Sequence, residues 1–266
     1  MPILHAIVLG LVQGLTEFLP VSSSGHLAIV PWLFHWKELT SNHQLNQTFD
    51  VALHIGTFIG AVVYFWRDIW TIVTDRSHHR LGLYLIVATI PAGIAGALFE
   101  DALAHPSEWL IGLMLIVFGL VLAYADRQKG TRQVEEGDEP FGMRDAVILG
   151  LAQTMALQPG VSRSGITITA GRLRGFDREA ATRISFLMAL LVVGGAGALK
   201  TLEVFTGDGL GPGLAAPFAW GMLASALSGA AAVWGLLRLI KTRSFTPFVI
   251  YRVVAGLAII AVAAAR

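Results

Sequence analysis

Glu17, Ser23, His26 and Arg163 carry reactive or charged groups, yet each is set in apolar sequence. An ionisable side chain at hydrocarbon depth costs about 3 kcal/mol, so it defaults to function or to pairing with another charge. Ser23 and His26 lie in VSSSGH (21–26), directly after Pro20, and Arg163 lies in VSRSG (161–165). A serine hydroxyl with an imidazole nearby is the material of a nucleophile and its base. A guanidinium grips phosphate oxygens in pairs. Gln13 and Glu17 are four apart and share one helix face. A carboxylate beside a carboxamide can hold a hard divalent cation, Mg²⁺ or alternatively Ca²⁺, through oxygen and water. With one carboxylate at hand, such a cation would lean on phosphate oxygens of a ligand. These residue types point to phosphate chemistry inside a membrane.

The elements that must position them follow from composition. The chain is 55% hydrophobic and 14% charged, against about a quarter charged in soluble domains. Its net charge of +1, with no large basic patch, argues against nucleic acid as a partner. It contains no cysteine, which excludes disulfides, thiol chemistry and cysteine-ligated metals. MPILHAIVLG has no Lys or Arg before its apolar stretch and Glu17 interrupts that stretch, so it is not read as a signal peptide. Six segments read as full spans, roughly 49–66, 81–100, 108–125, 184–204, 215–237 and 246–265, each near the ~20 residues a bilayer requires. Residues 3–33 and 146–171 are instead broken by LPVSSSG and QPGVSRSG. The Pro and Gly clustered at these breaks disfavour a continuous helix, and the freed backbone groups need protein partners. A re-entrant hairpin is the expected solution at each break.

Positive charge orients the chain. Four connections hold 14 of the 19 Lys and Arg residues, whereas 36–48, 101–107 and 205–214 hold only Lys37. All four basic connections are cytoplasmic if both termini and the first hairpin face outward. The two broken segments also match: GLVQ (10–13) with GLAQ (150–153), and VSSSG with VSRSG, both offset by 140 residues. Each half is then one hairpin plus three spans. Three is odd, so the second hairpin enters from the opposite side, as in an inverted-topology repeat with its site where broken helices meet. The expected fold is an all-α integral membrane protein, one domain over 1–266. Repeat 1 covers about 1–126 and repeat 2 about 143–266, joined by a solvated cytoplasmic connection, 127–142. GGAGA (194–198) and SALSGAAA (225–232) permit close helix packing, within one subunit or in a homodimer.

Each loop presents hydroxyls and backbone N–H groups before a short helix, Ser24 to Phe34 and Ser164 to Gly171. Helix N-termini favour phosphate, and Gly25 and Gly165 would let backbone approach a ligand closely. Ser22 and Ser24 have symmetric counterparts in Ser162 and Ser164, which suits scaffold or phosphate contact. Across the repeat Ser23 corresponds to Arg163, Glu17 to Leu157 and His26 to Ile166. This broken symmetry places the chemistry on Ser23, His26, Glu17 and Arg163. The competing reading is a structural Glu17–Arg163 ion pair, which leaves His26 and the tip hydroxyls unexplained. Asp50 and His54, four apart, read equally as a site rim or an interfacial pair. Arg252 inside the last span reads as an anion or carbonyl ligand. Trp32, Trp36, Trp66, Trp70 and Trp109 read as interfacial anchors.

QGLTEFLPVSSSGH (13–26) and PGVSRSGIT (159–167) together resemble the undecaprenyl-diphosphate phosphatase family of the bacitracin-resistance type. They match its (E/Q)xxxE, SS-x-GH and PGxSRSxxT motifs, and the resemblance spans essentially the whole chain. It implies hydrolysis of undecaprenyl diphosphate to undecaprenyl phosphate and inorganic phosphate, recycling the lipid carrier of peptidoglycan synthesis. The setting it implies is the bacterial inner membrane, with a divalent cation and a site open to the periplasmic face. The acidic motif falls on Gln13 and Glu17, the Ser/His pair on Ser23 and His26. The phosphate-binding arginine falls on Arg163, flanked by Ser162, Ser164 and Thr167. Gln at the first motif position puts more of the metal or proton-transfer role on Glu17. A lipid-phosphate flippase or transporter built on the same midplane site is the alternative. The phosphatidic-acid-phosphatase mechanism is excluded: it needs a second histidine where Thr169 stands, and no histidine follows His105.

Overall fold

Helices broken at mid-length alternate with long continuous ones in the computed structural model, which describes all residues except 41–42, 104–106, 135–139 and 207–209, and all their side chains except those of 40, 43–44, 100–103 and 203–206. The first broken pair is α1 (Ile3–Phe18) and α2 (Ser23–Leu33), followed by a short α3 (Lys37–Thr40). Three long helices follow, α4 (His43–Thr74), α5 (His79–Leu103) and α6 (Glu108–Asp126). The second broken pair is α7 (Met143–Thr154), extended by a 3₁₀ turn (Met155–Leu157), and α8 (Arg163–Leu173). Three more long helices close the chain, α9 (Arg178–Thr206), α10 (Ala215–Ile240) and α11 (Thr246–Ala265). The described residues form no strand; Arg132 and Phe176 make an isolated bridge. Six helices, α4, α5, α6, α9, α10 and α11, are long and apolar enough to cross a membrane, so the chain is an all-helical, multi-pass membrane protein. The six expected spans fall within them. Helices α4 and α9 run longer than their apolar runs because neither Pro nor Gly interrupts 67–74 or 178–183, and Arg183 of α9 pairs with Asp68 of α4 in those extensions.

The two breaks have the same local chemistry. Leu19, ahead of Pro20, is extended with φ −67° and ψ 143°, as a residue before proline must be. Ser22 then takes φ 74° and ψ 92°, and Ser162 takes φ 75° and ψ 115°. Left-handed backbone at a non-glycine residue costs about 1–3 kcal/mol. Both serines offset that cost as N-caps: Ser22 Oγ accepts the Gly25 N–H at 3.4 Å and Ser162 Oγ accepts the Gly165 N–H at 3.1 Å. The helices they cap, α2 and α8, are each 11 residues long. Gly160 has φ 96°, and a Cβ there would lie 2.6 Å from the Ile111 carbonyl oxygen, so this turn requires glycine.

Lipid tails give helices no hydrophobic reason to associate, so close backbone contact must do it. Helices α1 and α4 both pack along α10, α7 along α5, and α6 along α11. Small residues line these seams. A Cβ on Gly14 would stand 2.5 Å from the Ser225 carbonyl oxygen, and one on Gly60 would stand 2.3 Å from that of Ala226. Gly112 and Gly256 face each other's carbonyls at 2.8 and 2.5 Å. The SALSGAAA stretch therefore serves packing within the subunit.

At the basic end, buried Asp126 accepts from Arg178 Nε at 2.6 Å and from the Phe245 N–H at 3.0 Å. Asp145 accepts from Arg132 Nη2 at 2.8 Å and Arg174 Nε at 2.7 Å. Arg132 also lies over the Phe176 ring, 4.2 Å from its centroid. In the connection, Arg127, Gln128, Lys129, Thr131 and Gln133 are exposed, while Arg132 anchors it on the α8–α9 turn; 135–139 lie outside the described residues.

Arg252 of α11 is fully buried and ties the breaks together. Its Nη1 donates to the Pro20 carbonyl at 3.1 Å, and its Nη2 donates to those of Gly160 and Val161, both at 2.9 Å. Its Nε donates to the Leu115 carbonyl at 3.1 Å. Of the two readings left open for Arg252, the carbonyl-binding one describes this structure. Replacing Arg252 by Met keeps the apolar stem but strands carbonyls at each turn. The expected loss is roughly 3 kcal/mol or more of stability, read as a lower unfolding temperature in detergent, with Arg252→Lys between Met and wild type. Wild-type unfolding of the Met variant would contradict this role.

Candidate active site

The Arg252 clamp brings the two turns into direct contact. Ser22 Oγ accepts the Gly160 N–H at 3.0 Å, and Ser164 Oγ donates to the Leu19 carbonyl at 2.9 Å. Arg163 Nη2, in the first turn of α8, donates to Glu17 Oε1 in the last turn of α1. Between the tips lies a cavity of about 150 Å³ lined by Glu17, Ser23, Ser24, His54, Gln153, Ser162 and Arg163, with Ala92, Ala156, Leu157 and Val192 as its apolar wall. Its scale suits a phosphate group rather than a lipid.

Glu17 organises this cavity. Its Oε2 accepts from the Ser23 hydroxyl at 2.5 Å and from Gln13 Nε2 at 3.0 Å. His54 Nδ1 donates to the Asp50 carbonyl at 2.7 Å, which aims Nε2 at Glu17 Oε2, 3.6 Å away. One buried carboxylate therefore faces a guanidinium, a hydroxyl, a carboxamide and an imidazole. Three buried atoms at the site have no hydrogen-bond partner: Arg163 Nη1, Gln13 Oε1 and Gln153 Oε1. A buried unsatisfied group of this kind costs about 1–3 kcal/mol. A spare guanidinium N–H beside a hydroxyl fits an incoming anion. The two spare amide oxygens are acceptors, and Gln13 Oε1 beside Glu17 is the kind of neutral oxygen a hard cation takes. Among the described residues no three His, Asp or Glu side chains converge as a ready-made metal cage.

The structure sorts the residues singled out from the sequence. Glu17, Ser23, Ser24, Ser162 and Arg163 line the cavity, with Gln13 against Glu17. Ser22 and Ser164 join the tips. Thr167 is buried in α8, donating to the Arg163 carbonyl at 2.8 Å and meeting Ser185 Oγ at 2.6 Å. The glycines correct an expectation. A Cβ on Gly165 would stand 2.8 Å from Arg252 Nη1, and one on Gly25 would stand 3.2 Å from Ile111 and 3.5 Å from the Gly160 nitrogen. Their open sides are taken by protein rather than left for a ligand. His26 is a second correction. Its Nδ1 donates to the Ser22 carbonyl at 2.7 Å, and its Nε2 meets the Tyr251 hydroxyl at 2.5 Å, with the rings stacked. Both ring nitrogens of His26 are thus engaged away from Ser23, and Ser23 bonds to Glu17 instead.

Sequence reasoning missed Gln153, although GLAQ marks it as the counterpart of Gln13. It also left His54 undecided between rim and interface. Tyr251 carried no signal beyond its place before Arg252.

The sequence pattern of the bacitracin resistance protein BacA family matches residues 6–258, a stretch that includes both turns and Arg252. The chain belongs to that family. It is 46% identical over 280 residues to an undecaprenyl-diphosphatase of Geobacter sulfurreducens, covering 100% of both chains. An undecaprenyl-diphosphatase of Pelotomaculum thermopropionicum is 42% identical over 275 residues, covering 100% of this chain and 98% of that one. One of Geotalea daltonii is 46% identical over 270 residues, with 96% of each chain covered. Membership thus rests on the whole length, the two broken segments included.

If Glu17 and Arg163 hold the tips together, their contributions to stability must be coupled. A cycle of Glu17→Gln, Arg163→Met and the double variant, read by thermal unfolding in detergent, should give an interaction of roughly 0.5–3 kcal/mol. Additive single losses would contradict the contact.

Proposed function

We propose that this chain hydrolyses undecaprenyl diphosphate to undecaprenyl phosphate and inorganic phosphate. This activity recycles a lipid carrier of cell-wall synthesis and underlies bacitracin resistance. The observation that carries the reading is one phosphate-sized cavity holding an arginine with a spare N–H and a serine already bonded to a carboxylate. The undecaprenyl-diphosphatases that match it end to end supply the substrate class.

In this mechanism the terminal phosphate enters between the tips and takes the Arg163 guanidinium from Glu17. Arg163 and the loop N–H groups then neutralise charge that grows on the phosphoryl oxygens in the transition state. Ser23 Oγ attacks phosphorus as the bond to the bridging oxygen breaks, and undecaprenyl phosphate leaves. Glu17, released from Arg163, takes the Ser23 proton through the bond it already accepts. Water then cleaves the phosphoserine to free phosphate. His26 acts from behind, holding the Ser22 carbonyl and hence the α2 start. Gln13 and Glu17 would hold a divalent cation together with substrate oxygens, and that cation, when bound, supplies further neutralisation of phosphate charge.

The architecture this reading uses is an inverted repeat of two re-entrant hairpins and six spans, with halves near 1–126 and 143–266 and the cavity open to the outer face of the inner membrane. Support comes from the 140-residue offset linking Ser22 to Ser162 and α2 to α8. The concentration of Arg and Lys at the opposite end supports the orientation.

Purified protein in detergent, where transport is impossible, should release phosphate from a prenyl diphosphate with Mg²⁺. Ser23→Ala and Arg163→Lys should each lower turnover by about 100-fold or more. No phosphate release by the wild type would overturn the hydrolase reading, and near wild-type turnover by Ser23→Ala would overturn the covalent step.

A further inference from the structure

Helix α7 brings to the cavity a polar side chain that the hydrolytic mechanism leaves idle. Gln153 ends GLAQ (150–153), the counterpart of GLVQ (10–13). In both stretches the glycine seats its helix against a neighbouring backbone. A Cβ on Gly10 would stand 2.3 Å from the Gly221 carbonyl oxygen, and one on Gly150 would stand 2.7 Å from that of Ala88. The glutamine follows three residues later, on the same helix face. From there the two copies differ. Gln13 Nε2 donates to Glu17, four residues further on. Four residues on from Gln153 stands Leu157, part of the apolar wall. Gln153 Nε2 turns instead to the Ala88 carbonyl of α5 at 3.4 Å, and its Oε1 has no partner among the described residues. The residue is 2% exposed and lines the inter-tip cavity. A buried acceptor left open costs about 1–3 kcal/mol, which a donor arriving with the reaction would recover.

We propose that Gln153 Oε1 orients the water that cleaves the phosphoserine, an inference that rests on the covalent hydrolase reading and deepens it. That water enters where undecaprenyl phosphate has left, in line with the bond from phosphorus to Ser23 Oγ, and it needs an acceptor there. The other polar groups of the cavity are engaged. Glu17 holds the proton taken from Ser23, and Arg163 holds the phosphate. Ser162 Oγ accepts the Gly165 N–H. Ser24 Oγ lies 3.4 Å from Ser22 Oγ, and His54 Nε2 faces Glu17 Oε2 at 3.6 Å. Gln153 Oε1 is the acceptor that remains among the described residues lining the cavity. It belongs to α7, whereas Ser23 belongs to α2, so water and serine reach phosphorus from different helices. A neutral amide oxygen accepts one O–H of the water and adds no negative charge beside the phosphate. The step balances without further reagents. The water oxygen bonds to phosphorus as the P–Oγ bond breaks, and Glu17 returns its proton to Ser23 Oγ. The water proton held by Gln153 passes to a phosphoryl oxygen, and phosphate leaves as H₂PO₄⁻.

The test uses the full-length protein in detergent with Mg²⁺ and farnesyl diphosphate radiolabelled in its terminal phosphate. Gln153→Met keeps the length of the side chain and removes the acceptor. Steady-state turnover should fall about 100-fold, while farnesyl phosphate is still released in the first turnover. Acid-quenched Gln153→Met should carry label on Ser23 in most molecules, and the wild type in few. Wild-type turnover by the variant, or slow turnover with Ser23 unlabelled, would overturn the role. So would a loss that excess Mg²⁺ restores, which would assign Gln153 to the cation. A structure of the wild type with orthovanadate gives a reading that no substitution can disturb. Vanadate bonded to Ser23 Oγ sets an apical oxygen where the water enters, and that oxygen should lie within about 3 Å of Gln153 Oε1. An apical oxygen held by His54 instead would overturn the role. Absence of phosphate release by the wild type would strike the hydrolase reading itself, whereas the partner of the apical oxygen still decides the role of Gln153.

Discussion

One buried guanidinium governs this molecule. Wherever a helix breaks inside a protein interior, the freed carbonyls find no water, and each buried unsatisfied group costs about 1–3 kcal/mol. Two breaks are present here, and Arg252 donates to carbonyls of both, at Pro20 and at Gly160 and Val161. Arginine suits the task because its fork of donors is planar and always charged, where lysine offers a single point. By satisfying both turns with one side chain, the fold also sets their mutual distance. The remaining contacts depend on that distance: Ser22 with Gly160, Ser164 with Leu19, and Glu17 with Arg163.

The site inherits its electrostatics from this meeting. A lone buried carboxylate and a lone buried guanidinium would each be costly, and together they neutralise one another. Yet the pair is not closed on itself, because Arg163 Nη1 has no partner and Glu17 carries the Ser23 hydroxyl. The competing structural reading of Glu17 and Arg163 is therefore half of the truth. Their ion pair exists, and it leaves the Arg163 Nη1 donor without a partner and the Ser23 hydroxyl at the cavity. Left-handed backbone at Ser22 and Ser162 is further strain stored at the same place, held by caps and cross-tip bonds.

Much of this was legible in the sequence, for reasons specific to membranes. Apolar runs of fixed length marked the six spans, and Pro20, Pro159 and Gly160 marked where helices must stop. The 140-residue echo between VSSSG and VSRSG paired the breaks. Glu17 and Arg163 stood out because charge is rare in such surroundings. What escaped was orientation around a helix axis and depth along it. Broken repeat symmetry and the family's Ser/His motif pair His26 with Ser23, but its ring turns toward Tyr251 on α11, a partner 225 residues away. His54 reaches Glu17 from α4 by tertiary packing that no local pattern announces. Gly25 and Gly165 looked free for a ligand because the sequence cannot show that Arg252 and the opposite turn fill those spaces.

The central claim is that the two turns build one phosphate site between Arg163 and Ser23. An experimental structure of the protein with orthovanadate, a phosphate mimic, tests it most directly. The account predicts vanadium in the inter-tip cavity, with an oxygen within hydrogen-bond reach of Arg163 and the metal facing Ser23 Oγ. Vanadate bound instead in the cavity beside Arg67 and Arg183 at the basic end, with none between the tips, would contradict it.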